Sequence, residues 1–140
     1  MSSNFPKTAM VLAAGYGKRL RPLTETTPKP MVKVLGRPMI DGVLDRLVAA
    51  GVTRAVVNLH HLGDVIRDHL KTRTDIEIVY SEEREILETG GGIRQALPLL
   101  GADPFFVVNA KIVWLNGRED ALHRLANAWD DARMDSLLLL

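Results

Sequence analysis

A chain of 140 residues with 46% hydrophobic side chains is long enough to bury one ordinary core, and a formal charge of +1 gives it no global pull toward nucleic acid or anionic membranes. The absence of cysteine excludes disulfides, thiolate metal sites and cysteine nucleophiles, and it fits a cytoplasmic protein. Any basic chemistry must therefore be local.

Residues 1–7, MSSNFPK, read as a flexible tail, with no signal-peptide cleavage pattern and no apolar run long enough to span a membrane. Thr8 to Ala13 is short and apolar and ends at a glycine turn, which predicts a buried strand. Beyond Pro38, the residues Ile40, Val43, Leu44, Leu47 and Val48 recur at helical spacing, and Gly51 supplies the stop. Arg54 to Leu59 reads as a second strand. A short helix follows over Leu62 to Leu70, with Val65, Ile66 and Leu70 facing inward.

Ile76 to Tyr80 is the third predicted strand, and the polar SEEREILETGGG behind it reads as a loop. A helix is expected over Ile93 to Leu100, its regular length limited by Pro98. Pro104 to Asn109 forms a fourth strand, Arg118 to Trp129 a helix, and Ser136 to Leu140 a strand cut off in mid-run. Strands alternating with helices predict a Rossmann-like, doubly wound α/β fold: a mostly parallel sheet with helices on both faces. Residues 8–140 then make one domain that reads as the N-terminal, nucleotide-binding part of a larger one. The unpaired apolar edge near Leu140 invites a homodimer.

Ligands gather at the carboxyl ends of strands in such sheets. That rim carries VLAAGYGKRLRPLTETTPKPM, Val11 to Met31, where Gly15 and Gly17 are followed by Lys18, Arg19, Arg21 and Lys29. Glycines allow close backbone approach to phosphate, and Arg and Lys supply forked and compact cations. A plain turn with solvated cations is the alternative. The spacing excludes a Walker loop, and the missing third glycine excludes a full dinucleotide fingerprint. Adjacent His60 and His61 point to opposite sides of an extended segment, and with His69 and His123 they read as structural or solvent-facing. Glu82, Glu83 and Glu85 read as a solvated loop in which only Glu82 approaches the rim.

LAAGYGKRLRPLT followed by PKPMVKVLGRPMI resembles the signature of the sugar-phosphate nucleotidyltransferases, and AAGVTRAVVNLHHLGDVI, LETGGGIRQALPLL and PFFVVN continue the likeness in order. The version LETGGGI looks most like the bacterial branch that acts on N-acetylmuramate 1-phosphate with UTP, with mannose and glucose 1-phosphate branches as competitors. The resemblance implies that Ala13, Ala14 and Gly15 line base and ribose, while Gly17, Lys18 and Arg19 wrap the triphosphate. It further implies that Lys29 reaches the α-phosphate or the sugar phosphate, that Glu82, Gly90, Gly91 and Gly92 border the base, and that Asn109 contacts the sugar. Arg19 and Lys29 would carry catalysis. The sugar phosphate itself is the nucleophile, so no protein nucleophile is needed. The implied partners are a nucleoside triphosphate and a sugar 1-phosphate, with neither nucleic acid nor membrane, and Mg²⁺ is the implied cofactor.

The family pattern Asn-Gly-Asp, whose aspartate holds magnesium, is here Asn109-Ala110-Lys111. A lysine cannot ligate a divalent cation. Three readings stay open: Lys111 points to solvent and another group holds the metal, its ammonium takes the metal's place, or the site binds nucleotide without efficient turnover. The family's second aspartate falls beyond Leu140. No intact metal site is therefore expected.

Overall fold

The computed structural model describes residues 5–140. The elements run in the order β1 (Thr8–Leu12), β2 (Lys33–Val34), β3 (Arg37–Pro38), α1 (Met39–Ala50), β4 (Arg54–Leu59), α2 (Gly63–Leu70), β5 (Glu77–Glu82), α3 (Glu88–Leu100), β6 (Phe106–Asn109) and α4 (Ala121–Ala128). Four strands form one parallel sheet in the order β5-β4-β1-β6, and β2 and β3 form a separate antiparallel pair. Registers such as Thr8↔Arg54 and Ala9↔Phe106 place β1 at the centre.

Alternation along each strand sends successive side chains to opposite faces. Ala9, Val11, Ala55 and Val57 pack on one face with Ile40, Val43, Leu44 and Leu47 of α1, Ile66 and Leu70 of α2 and Leu122 of α4. Met10 and Val56 turn to the other face, against Ala96 and Leu100 of α3. Helices therefore cover both faces. Helix α1 ends as its spacing requires: Gly51 adopts φ 104, a left-handed conformation costly for a β-carbon, and its N–H donates to the Leu47 and Val48 carbonyls.

Several expectations are corrected. Phe5 to Lys7 is no loose tail, because Phe5 stacks on His123 at 4.6 Å and the Lys7 carbonyl accepts from Thr53 and Arg54. The expected tail residues 1–4 lie outside the described residues. Val65 is 38% exposed, leaving Ile66 and Leu70 to anchor α2. Helix α3 begins five residues earlier than expected, so Gly90 to Gly92 are helical and the loop shrinks. Helix α4 starts at Ala121 because Asp120 caps it, its Oδ1 accepting from Leu122 N at 2.9 Å and His123 N at 3.1 Å. Residues 136–140 form no strand, as nothing among the described residues pairs with them, and the strand edge on which the dimer expectation rested is not formed. Among the described residues no helix is long and apolar enough to cross a membrane.

An ion network ties the β2–β3 hairpin and the loop after α2 to α1. Arg37 Nη1 donates to Asp45 Oδ2 at 2.7 Å and Arg73 Nη2 to Asp45 Oδ1 at 2.8 Å. Burial alone would raise the Asp45 carboxyl, but the hydrogen bonds and charges of Arg37 and Arg73 outweigh it and hold it below the ordinary value. Ionised Asp45 therefore stabilises the fold above its unfolded pKa of about 3.9, and that contribution disappears as pH falls through the lower folded value. For a half-exposed carboxylate the effect is small. Asp45→Asn is expected to cost less than about 1 kcal/mol at neutral pH, with the gap from wild type closing in acid, as urea melts over a pH series will show.

Candidate functional site

The central strand β1 delivers its carboxyl end between β4 and β6, where the chain changes direction across the sheet. This is the switch point at which a crevice opens. Ala13 and Ala14 are buried there, and Gly15 to Gly17 emerge toward solvent. Three 3₁₀ turns, Lys18–Leu20, Leu23–Glu25 and Lys29–Met31, fold the following segment back over the rim.

That segment is pinned from several sides. Gly17 holds φ +61, and a β-carbon on it would lie 2.9 Å from Thr24 Cγ2 and 3.2 Å from Lys29 Cβ, so both conformation and space require glycine. The buried Thr24 donates from Oγ1 to the Gly17 carbonyl at 2.8 Å, and His61 Nε2 donates to the Thr24 carbonyl at 2.8 Å. His60 Nδ1 donates to the Glu83 carbonyl, which can only accept, at 2.8 Å, and its Nε2 faces the Tyr16 hydroxyl at 3.2 Å. The expectation that the two histidines point apart is corrected in one respect: the chain turns after Leu59, and both rings pack on Tyr16. All four histidines are structural, with His69 Nε2 2.7 Å from Asp41 Oδ1 and His123 stacked on Phe5.

An open cleft of about 400 Å³ lies over this loop. It brings together Gly15, Gly17, Lys18, Arg19, Lys29 and Lys111, with Tyr16, Ile86 and Glu88 completing the lining. Among the described residues none of these cations forms an ion pair, whereas five other basic side chains do: Arg37, Arg54, Arg67, Lys71 and Arg73. The amides of Gly15, Tyr16 and Gly17 likewise have no acceptor among the described residues. Unpaired ammonium, guanidinium and amide donors around one cleft make a receptor for phosphate oxygens.

Other expected site residues fall elsewhere. Glu82 is turned outward and pairs with Arg67 on the surface. Gly90 and Gly91 sit in the first turn of α3 and do not line the cleft. Asn109 is exposed on the rim but opens onto a neighbouring, wider groove. Ala13 and Ala14 form the floor behind the loop.

A buried polar relay escaped the sequence reading. Asn58, 3% exposed, accepts from Ala13 N at 2.6 Å and donates from Nδ2 to Glu83 Oε1 at 2.8 Å. Glu83, 5% exposed rather than solvated, also accepts from Leu87 N at 3.1 Å. The signal was present as one asparagine within the otherwise apolar, buried run Ala55 to Leu59. Glu88, a cleft residue at φ 58, had no comparable signal.

The residues present do not fit a divalent metal. The cleft holds Glu88 as its one carboxylate against four cationic side chains, and among the described residues no cluster of three or more His, Cys, Asp or Glu is suited to an ion. Lys111 lines the cleft, its Nζ 3.2 Å from the point a Gly15 β-carbon would occupy.

A parallel sheet with an amide- and cation-bordered loop at its switch point defines the class as an α/β domain with a donor-lined crevice at the carboxyl ends of its strands. The family model described as nucleotidyl transferase matches residues 8–135, and the chain belongs to that family. It is 50% identical to the N-acetylmuramate alpha-1-phosphate uridylyltransferase of Caulobacter vibrioides, over 99% of this chain and 59% of that protein. A mannose-1-phosphate guanyltransferase of Aspergillus oryzae is 42% identical over 75% of this chain and 30% of its own length. A UDP-glucose pyrophosphorylase complexed with UDP-glucose superposes with a TM-score of 0.78 at 21% identity, covering 86% of this chain and 52% of that one, and shares the fold. The chain thus spans little more than half the length of the relative it matches most fully among these.

Proposed function

We propose that this chain is the nucleotide-binding part of a cytoplasmic sugar-1-phosphate nucleotidyltransferase that moves UMP from UTP to a sugar 1-phosphate such as N-acetylmuramate 1-phosphate. The observation that carries the reading is the set of unpaired cations, Lys18, Arg19 and Lys29, gathered on a glycine loop at the switch point. An oxygen of the sugar phosphate attacks the α-phosphorus, the bond to the β-phosphate oxygen breaks, and pyrophosphate leaves. Two anions must meet, so positioning and charge neutralisation supply the catalysis. Lys29 serves the α-phosphate, and Lys18 and Arg19 hold the departing phosphates. Uridine is favoured over guanine by the higher identity to the uridylyltransferase.

A second reading, nucleotide binding without turnover, is favoured by Lys111 in the cleft. Pyrophosphate release measured with UTP or GTP and N-acetylmuramate 1-phosphate separates the two. Release with UTP above that with GTP is the expected result. Binding of UTP with no release selects the second reading, and binding of neither nucleotide sinks both.

A further inference from the structure

Lys111 is placed with more care than a solvated lysine needs. Its neighbour Ala110 is fully buried and donates from N to the Leu12 carbonyl at 3.0 Å, extending the β6–β1 ladder by one residue. The Lys111 stem therefore leaves a rigid anchor beside the phosphate loop. Across the crevice Gly15 makes room: a β-carbon there would stand 3.2 Å from Nζ. The ammonium has no carboxylate partner among the described residues, although Glu88 lines the same cleft.

The geometry points to Lys111 as a tethered cation that receives the nucleotide's phosphates directly, so that this chain binds a free nucleoside triphosphate without a divalent ion. This rests on the nucleotidyltransferase reading above and specifies the ionic form of its substrate. The physical reason is charge. A triphosphate without metal is more negative than its magnesium complex, and a cleft lined by Lys18, Arg19, Lys29 and Lys111 favours the more negative form. A hydrated divalent ion brought to the same place meets an ammonium and lacks the carboxylate oxygens it requires.

Calorimetric titration of UTP into the chain, in EDTA and in excess magnesium, tests this with binding alone as the readout. Wild type is expected to bind in EDTA and to bind no more tightly with magnesium. Lys111→Ala is expected to weaken metal-free binding about tenfold or more, the scale of a lost charge-assisted hydrogen bond. Lys111→Arg should keep metal-independent binding, and Lys111→Asp should lose it and regain affinity when magnesium is added. Thermal melts of each variant confirm that the fold is kept. Binding by wild type that is strengthened severalfold by magnesium, with Lys111→Ala equal to wild type in EDTA, overturns the inference and leaves the family function standing. Failure of every protein to bind UTP in either condition instead removes the nucleotidyltransferase reading on which it rests.

Discussion

Gly92→Ala is expected to destabilise the fold by about 2–5 kcal/mol, combining an overpacking cost with the loss of buried hydrogen bonds. The added β-carbon would lie 2.6 Å from Glu83 Oε1 and 3.0 Å from Asn58 Nδ2. Neither group can retreat cheaply. Glu83 is held by Asn58 Nδ2 at 2.8 Å and Leu87 N at 3.1 Å, and Asn58 is held in turn by Ala13 N at 2.6 Å. Moving the carboxylate leaves buried donors unpaired, and moving Asn58 drags the floor of the phosphate loop. UTP affinity should therefore fall together with stability. Gly90→Ala is the control, because a β-carbon there meets nothing within 4 Å in the same helix. It should be neutral or stabilising by about 0.5–1 kcal/mol. Urea unfolding of both variants checks the contrast, and equal effects would show that the relay yields freely.

The central layers of this fold were legible because their signals are local and agree. Helix α1 has an apolar stripe and a glycine stop, and β4 falls on the expected residues Arg54 to Leu59. The gathering of Gly15, Gly17, Lys18, Arg19 and Lys29 around one cleft was legible for a related reason: they lie in one short stretch, which three successive 3₁₀ turns fold back on itself. Elsewhere the outcome depends on partners distant in sequence. Glu82 and Glu83 are adjacent and chemically alike, yet one pairs with Arg67 at the surface and the other is buried against Asn58. Strand register decides between them, and register is a tertiary property.

The glycines of LETGGG mislead in the same way. Three in a row suggest a flexible loop, but Gly92 is needed where α3 crosses the buried carboxylate, and the run is helical. Residues 136–140 have the composition of a strand without a ladder partner, and composition alone cannot supply one. For Lys111 the sequence leaves several readings open. The structure places Nζ in the cleft beside Gly15, a position that needs β1 and β6 side by side.

Lys29→Ala should weaken UTP binding about 10- to 100-fold, corresponding to about 1.5–3 kcal/mol for a hydrogen bond to a charged group. Lys29 sits in the turn Lys29–Met31 between Pro28 and Pro30, both fully buried, so its backbone is fixed before any ligand arrives. Its Cβ stands 3.2 Å from the point a Gly17 β-carbon would occupy, which holds the stem against the phosphate loop. A side chain anchored in this way loses less freedom on binding than one on a mobile loop. Lys29 forms no ion pair among the described residues, so its removal should leave the unfolding midpoint unchanged. Lys29→Arg should restore binding only in part, because a forked guanidinium does not fit where a compact ammonium stands. Lys33→Ala, on the exposed β2 strand, removes the same charge away from the cleft and should change affinity little at physiological salt. If titration finds Lys29→Ala and Lys33→Ala equally weakened, the attraction is a general field of positive charge and not a built contact. A loss confined to Lys29→Ala places the phosphate at the proline-braced turn.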